Sequence, residues 1–381
     1  MVVSLEHAIA APLCTRQLAD MGARVIKLER PSHGDFARHY DERVGGLSSH
    51  FVWVNRGKES LAMNLKSPEA AVVLPKLLAK ADVLVQNLVP GAAQRLGLGF
   101  ADLHPHYPQL IVCDISGYGQ GGPYQDKKAY DLLIQSESGM LSITGGPHPN
   151  ELAKSGNSIA DISAGMYAYS SILNALLLRQ KTGLGTHIDV SMLESLVEWL
   201  GYPLYYAYEG ASPPARTGAA HATIFPYGPF HTQDGTVMLG LQNEREWQAF
   251  CTTVLQQPEL ARDVRYDQNS KRSALRAELT QRIEDVLQAL PTAEVQQRLD
   301  QAHIASGRVN TMNQVWLHPQ LRARQRWRTI DSPIGPLPAL LPPGQNSGFE
   351  AIMGAIPALG QHNQAILTEL GLTPHYLGPP P

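Results

Sequence analysis

The chain has 381 residues, 43% hydrophobic and 17% charged, and a formal net charge of −3. That length favours two domains over one core, the composition is that of a soluble globular protein, and the charge excludes bulk electrostatic binding of nucleic acid. Cys14, Cys113 and Cys251 are odd in number and far apart, which points to reduced thiols and a cytoplasmic protein. The opening Met1–Glu6 reads without a signal peptide, and no run approaches the roughly 18 apolar residues of a membrane span.

In chain order, a first strand ends near Glu6, and Pro12 to Met21 has helical spacing with Gly22 as its stop. Arg24 to Glu29 reads as a strand closed by Arg30-Pro31. Ser67-Pro68-Glu69 is a helix start with an apolar pattern through Leu78. Asp82 to Gln86 and Leu110 to Ile115 read as buried strands. Ala160 to Gln180 is a long helix of small residues, followed by a strand over Thr186 to Val190 and a helix from Ser191. This alternation predicts an α/β fold: a Rossmann-like domain with a parallel sheet. From Pro213 the texture changes, with a strand at Thr236–Leu239 and helices at Glu244–Leu255, Ser273–Leu290 and Thr292–His303. Pro333 to Gly348 reads as loop, and a last helix near Gln361–Leu370 precedes a Gly-Pro-Pro-Pro tail. The expected division is a large domain over 1–205, a linker and smaller α+β domain over 206–325, and a return to the large domain over 326–381.

The chemistry centres on Asp131. It follows a loop containing Gly117, Gly119, Gly121 and Gly122 and heads a helix. A carboxylate there can cap the helix by accepting its free N–H groups. It can also be a nucleophile held where such groups stabilise negative charge; both readings stand on spacing alone. The glycine loop, permissive of positive φ, is a candidate lid or N–H nest. Asp161 reads as a second helix cap. Ala8, Ala10 and Ala11 let a ligand or a neighbouring helix approach the backbone closely. Arg30, Lys66 and Arg95 follow strands or neighbouring loops, where a doubly wound sheet could gather them around a phosphate. Arg216 could clamp a substrate carboxylate, with His221 or Tyr227 adding a hydrogen bond. No dinucleotide fingerprint, P-loop, G-x-S-x-G elbow or metal-ligand spacing is present, so neither a metal nor a permanently bound cofactor is expected.

These stretches together carry a resemblance. Ala10-Ala11-Pro12, Leu18 through Glu29, Asn55 through Ser60, Asn64-Leu65-Lys66, Ser116 through Gly119, Tyr130-Asp131, and Asp161 with Gly165-Met166 resemble, in order, family III (CaiB/BaiF-type) CoA-transferases. The resemblance implies an interlocked homodimer and CoA thioesters as co-substrates. It implies Asp131 as a nucleophile that forms an aspartyl-CoA thioester. It also implies CoA contacts at Ala8, Ile9, Ala10, Arg30, Met63, Lys66, Asn87, Arg95, Tyr118 and Met166. The partners it implies are an acyl-CoA, succinyl-CoA above all, and a small carboxylic acid. The Arg216–Phe230 stretch resembles members using C4–C5 dicarboxylates such as itaconate, mesaconate, citramalate or malate. Leu241-Gln242-Asn243-Glu244 replaces the multi-glycine loop of formyl-CoA transferases near Gly240, which disfavours formyl and oxalyl substrates. Racemases of the superfamily carry histidine where this chain has Tyr130, a poor base near neutral pH, and a glutamate near Asn243. A racemase-like isomerase and a non-catalytic acyl-CoA-binding subunit are the alternatives.

Overall fold

The computed structural model describes residues 1–374 and 376–377; His375 and the tail over 378–381 lie outside the described residues. The chain divides into two compact units, Met1–Met140 with Ser155–Gly201 and Gln320–Pro381, and Leu141–Lys154 with Tyr202–Pro319. Residues 141–154, assigned to the large domain by sequence, group with the second unit.

The first unit is built on a six-stranded sheet: β1 (Val2–Leu5), β2 (Val25–Glu29), β3 (Lys58–Ala62), β4 (Val83–Gln86), β5 (Ile111–Ser116) and β6 (His187–Ser191). All neighbours are parallel, in the order β3-β2-β1-β4-β5-β6. This is the doubly wound Rossmann order, and its direction reverses between β1 and β4. Alternate residues of each strand face opposite sides. Val2, Val25, Val83 and Val85 join one core with the helices Ala10–Asp20 and Ile159–Thr182. Val3, Ile26, Leu28 and Leu84 join another with the helices Pro68–Leu78 and Asn363–Glu369.

Small residues decide how close the first pair of helices comes. A β-carbon on Gly165 would stand 2.6 Å from the Ala10 carbonyl oxygen, so Ala10 serves tight helix packing. The hairpin of β10 (Trp327–Ile330) and β11 (Leu337–Leu340) also belongs to this unit. Sequence reading took the latter as loop because of its proline; Pro338 is tolerated in a two-stranded ladder.

The second unit holds an antiparallel sheet, β7 (Tyr227–His231), β8 (Thr236–Gly240) and β9 (Ala305–Arg308), in that order. Its core gathers Phe230, Val237 and Leu239 with residues of the helices Arg276–Leu287 and Thr292–Gln301. The helix expected over Glu244–Leu255 is α-helical only over Glu244–Ala249 and continues as a π-turn. Among the described residues no helix is long and apolar enough to cross a membrane.

Beneath the turn after β1 lies a buried charge network. Lys58 Nζ donates to Glu6 Oε1 at 2.6 Å, to the Pro12 carbonyl at 3.0 Å and to Asn55 Oδ1 at 3.1 Å. Lys27 Nζ donates to Asp35 Oδ2 at 2.7 Å and to the same Asn55 oxygen at 3.0 Å. Burial alone would push the Glu6 carboxyl up, but Lys58 and Lys27 outweigh it and hold it below its usual range. Two lysines face two carboxylates, so the cluster is neutral only when complete. Glu6→Gln is therefore expected to destabilise the protein by about 3–5 kcal/mol, the cost typical of breaking a buried pair from one side. Urea denaturation measures this, and a loss under 1 kcal/mol would refute the compensation.

Candidate active site

Asp131 is the first residue of the helix Asp131–Glu137, not its cap; Tyr130 holds the N-cap position. The side chain instead caps a different helix. Its Oδ1 accepts the N–H groups of Ala160 at 2.8 Å and Asp161 at 3.2 Å, in the first turn of Ile159–Thr182. Ser158, the formal N-cap of that helix, makes no side-chain cap bond. The positive end of a 24-residue helix thus addresses one carboxylate oxygen.

The other oxygen, Oδ2, accepts a hydrogen bond from Gln135 Nε2 at 2.6 Å. Gln135 is fully buried, and its own Oε1 accepts the Ser155 N–H at 2.9 Å, which settles which end of the amide faces Asp131. Sequence reasoning gave Gln135 no role. The available signal was its i, i+4 spacing from Asp131 on one helix face. With three donors on two oxygens, Asp131 has the surroundings of an anion held in one orientation, and it remains only half-buried.

Asp161 is likewise not a cap; it is the third residue of its helix. Burial, with the Asp131 charge added, pushes its carboxyl up to about 7.

The glycine loop is anchored rather than free at its start. Gly119 N–H donates to Ser116 Oγ at 2.9 Å, Gln120 N–H to Asp189 Oδ2 at 2.8 Å, and Gly121 N–H to Gln125 Oε1 at 3.1 Å. Gln120 Nε2 also reaches Asp114 Oδ2 at 3.2 Å, and that same oxygen pairs with His187 at 2.9 Å. These N–H groups are therefore already used, by Ser116 at the end of β5, Asp189 on β6 and Gln125. The expected N–H nest around Gly119 gives way, in this structure, to the N–H groups of the Ile159–Thr182 helix.

Ala8 has a φ of 60°, a left-handed conformation that costs a non-glycine residue about 1–2 kcal/mol. Its N–H donates to Asp35 at 3.1 Å. His7 is clasped on both backbone groups by the Asn87 side chain, each at 2.9 Å. This places Ala8, Ile9, Ala10 and Asn87 at the β1–β4 switch point. Arg30 follows β2, Lys66 follows β3, and Arg95 ends the short helix after β4; all three side chains are exposed. Met166 is 37% exposed and Tyr118 partly buried, whereas Met63 is 2% exposed and packs in the core.

In the second unit, Arg216 is engaged by main chain: its Nε donates to the Gly146 carbonyl at 2.8 Å and its Nη2 to the His148 carbonyl. His221 and Tyr227 stack, with ring centroids 5.3 Å apart and planes at 10°. Among the described residues, no group of three or more His, Cys, Asp or Glu could hold a metal ion.

CoA-transferase family III matches residues 1–363 of the sequence. The chain belongs to this family. The succinyl-CoA:glutarate CoA-transferase of Homo sapiens is 33% identical over 372 residues, covering 97% of this chain and 84% of that protein. The acetyl-CoA:oxalate CoA-transferase of Acetobacter aceti is 36% identical over 324 residues, covering 85% and 83%. A solved CAIB/BAIF family protein from Brucella suis superposes with a TM-score of 0.86 at 33% identity, covering 97% of each chain. The expectation against oxalate thus stands beside a relative named for oxalate.

The raised Asp161 group makes the transferase's stability depend on pH. The folded state keeps the Asp161 proton up to about pH 7, while the unfolded chain loses it near 3.9. The stabilisation is complete below the unfolded value and is lost as pH rises through about 7. Asp161→Asn should therefore gain in melting temperature relative to the parent from pH 4 to 7 and hold that gain above. A difference independent of pH would contradict this.

Proposed function

We propose that Asp131 is the nucleophile of a CoA transfer from an acyl-CoA, succinyl-CoA in the first instance, to a C4–C5 dicarboxylic acid such as glutarate, itaconate, mesaconate, citramalate or malate. The observation that carries this reading is the pair of helix N–H groups on Asp131 Oδ1.

Asp131 Oδ2 attacks the donor's thioester carbon. The carbon–sulfur bond breaks, leaving a mixed anhydride and CoA thiolate. The thiolate then attacks the Asp131 carboxyl carbon, and negative charge develops on Oδ1, where the Ala160 and Asp161 N–H groups already point. Collapse expels the donor acid, which leaves with Oδ2, and the aspartyl-CoA thioester remains. The acceptor carboxylate attacks that thioester carbon and displaces the thiolate, which attacks the acceptor's acyl carbon. The products are the new acyl-CoA and a free Asp131 carboxylate carrying one acceptor oxygen. Anhydrides hydrolyse, so water must be excluded while they exist.

For CoA itself, the strained turn over Ala8, Ile9 and Ala10, with Asn87 and Met166 beside the fold's switch point, receives the pantetheine end. Arg30, Lys66 and Arg95 meet the phosphates, and Tyr118 supports the glycine loop. Met63 serves this surface from the core. The assembly is a homodimer, interlocked as the resemblance implies. Leu173, Leu177 and Leu178 on the last turns of the Ile159–Thr182 helix are exposed and support a buried partner face. The three cysteines are free and buried, which supports a reducing cytoplasmic compartment.

Incubation with succinyl-CoA should give a covalent CoA adduct that peptide mass spectrometry maps to Asp131. Asp131→Asn should bind CoA and lose transfer to below detection. Acceptor labelled with ¹⁸O should leave label in Asp131 after one turnover. Near-parental transfer in the variant would refute the nucleophile, and binding without any adduct would favour a racemase or a simple binder.

A further inference from the structure

Gln135 ties both ends of its amide into the surroundings of Asp131. It is fully buried and stands one turn along the helix Asp131–Glu137 from the carboxylate. Its Nε2 donates to Asp131 Oδ2 at 2.6 Å and meets the Asn157 carbonyl at 3.5 Å, while its Oε1 accepts the Ser155 N–H at 2.9 Å. The backbone therefore fixes the amide's orientation. A flipped amide would set its nitrogen against the Ser155 N–H and turn its oxygen on the carboxylate, losing both bonds.

The hydrogen bonds close a ring. Residues 155–158 lead directly into the helix Ile159–Thr182, whose Ala160 and Asp161 N–H groups hold Asp131 Oδ1 at 2.8 and 3.2 Å. One segment thus governs both carboxylate oxygens, Oδ1 through its helix start and Oδ2 through Gln135. Rotating the carboxylate breaks bonds on both sides. Of the acids on the packed helices, Asp161 adjoins Asp131, whose charge helps to push its carboxyl up to about 7. Glu194 and Glu198 of the helix Met192–Leu200 are exposed, and Glu137 pairs with Lys127. The bases Arg179 and Lys181 lie in the last turn of Ile159–Thr182, at the end away from Asp131.

We propose that Gln135 is the positioning residue of the Asp131 carboxylate in the transfer reaction, holding Oδ2 in place for attack and stabilising it as the leaving oxygen. The leaving-oxygen role rests on Asp131 as the nucleophile, as read above. In the anhydride, Oδ2 links the Asp131 carboxyl carbon to the donor acyl group. When the thiolate adds to that carboxyl carbon, charge gathers first on Oδ1, at the Ala160 and Asp161 N–H groups. As the adduct collapses, the carbon–Oδ2 bond breaks and its electron pair passes to Oδ2, which departs in the donor carboxylate. Gln135 Nε2 is the donor at that oxygen, so the two charges have separate donors. No proton changes hands, and an amide meets the need.

Gln135→Glu is the diagnostic variant. Its protonated carboxyl reproduces the amide, with the O–H donating to Oδ2 and the carbonyl oxygen accepting the Ser155 N–H. Its ionised form loses the donor and faces Asp131 with a like charge. The ratio of variant to parent kcat should start near one at about pH 5 and fall about 10- to 100-fold by about pH 9. That fall is the weight of one hydrogen bond to a charged group, over the range in which a buried glutamic acid ionises. Asp161 titrates in both proteins and cancels in the ratio. Gln135→Met should lower kcat by a similar factor at every pH, and it serves if the first variant does not fold. In both, the KM for succinyl-CoA should stay within about twofold of the parent's. A ratio independent of pH in Gln135→Glu, near-parental kcat in Gln135→Met, or a KM rise that accounts for the whole loss of kcat/KM would overturn the proposal. The expected pH signature together with a CoA adduct on a residue other than Asp131 would leave Gln135 positioning Asp131 and count against the nucleophile alone.

Discussion

The first unit's turn after β1 depends on the buried pairing of Lys58 with Glu6 and of Lys27 with Asp35. Burying four charges is unfavourable, and such clusters seldom add net stability over a well-packed apolar core. What this one supplies is position. Asp35 neutralises Lys27 with one oxygen and receives the Ala8 N–H with the other, so the same carboxylate that balances a lysine holds a left-handed alanine in place. Thr15 donates to Glu6 Oε2 at 2.6 Å, extending the network into the Ala10–Asp20 helix. The turn after β1 is thereby over-determined by three elements, as a strained backbone must be if it is to persist.

Asp131 resolves an opposition that spacing left open. Capping is compatible with the proposed nucleophilic role, because the helix it caps is not the one it begins. A carboxylate that capped its own helix would turn its oxygens inward along the chain. Capping the Ile159–Thr182 helix holds the carboxyl group by two N–H donors on Oδ1, the oxygen on which the proposed thiolate attack would place charge. Asp161, one residue further along, has the opposite surroundings: burial without a comparable set of donors. Two neighbouring carboxyl groups thus have different surroundings, and burial raises the proton affinity of Asp161.

Much of the first unit was legible in the sequence. The apolar runs of β2, β4 and β5, the small-residue helix and the place of Asp131 at a helix start all follow from local pattern, whereas Asp161, read as a cap, lies inside its helix. β3 was not assigned from sequence, because Lys58-Glu59-Ser60 lacks a strand's apolar signature. Its lysine is tolerated only because Glu6, far off in the chain, neutralises it. Gln135 was overlooked for a related reason: an amide on a helix face looks solvated until the backbone at Ser155 arrives to orient it. Local hydrophobicity records burial; it does not record compensation between distant residues.

The arginines of the second unit carry the same lesson. Arg216 follows a proline-rich stretch and suggests a clamp, while Arg276 sits in an ordinary helical sequence and suggests a solvated charge. The structure shows instead which backbone each guanidinium holds. Arg216 directs two donors to the Gly146 and His148 carbonyls and so braces a loop. Arg276 also holds a loop, but with one nitrogen on two carbonyls and another buried without a partner. Each guanidinium has five N–H donors and keeps some beyond these bonds, and Arg276 also lies over the Phe225 ring, 5.4 Å from its centroid, so both arginines are braces that sequence spacing alone does not reveal.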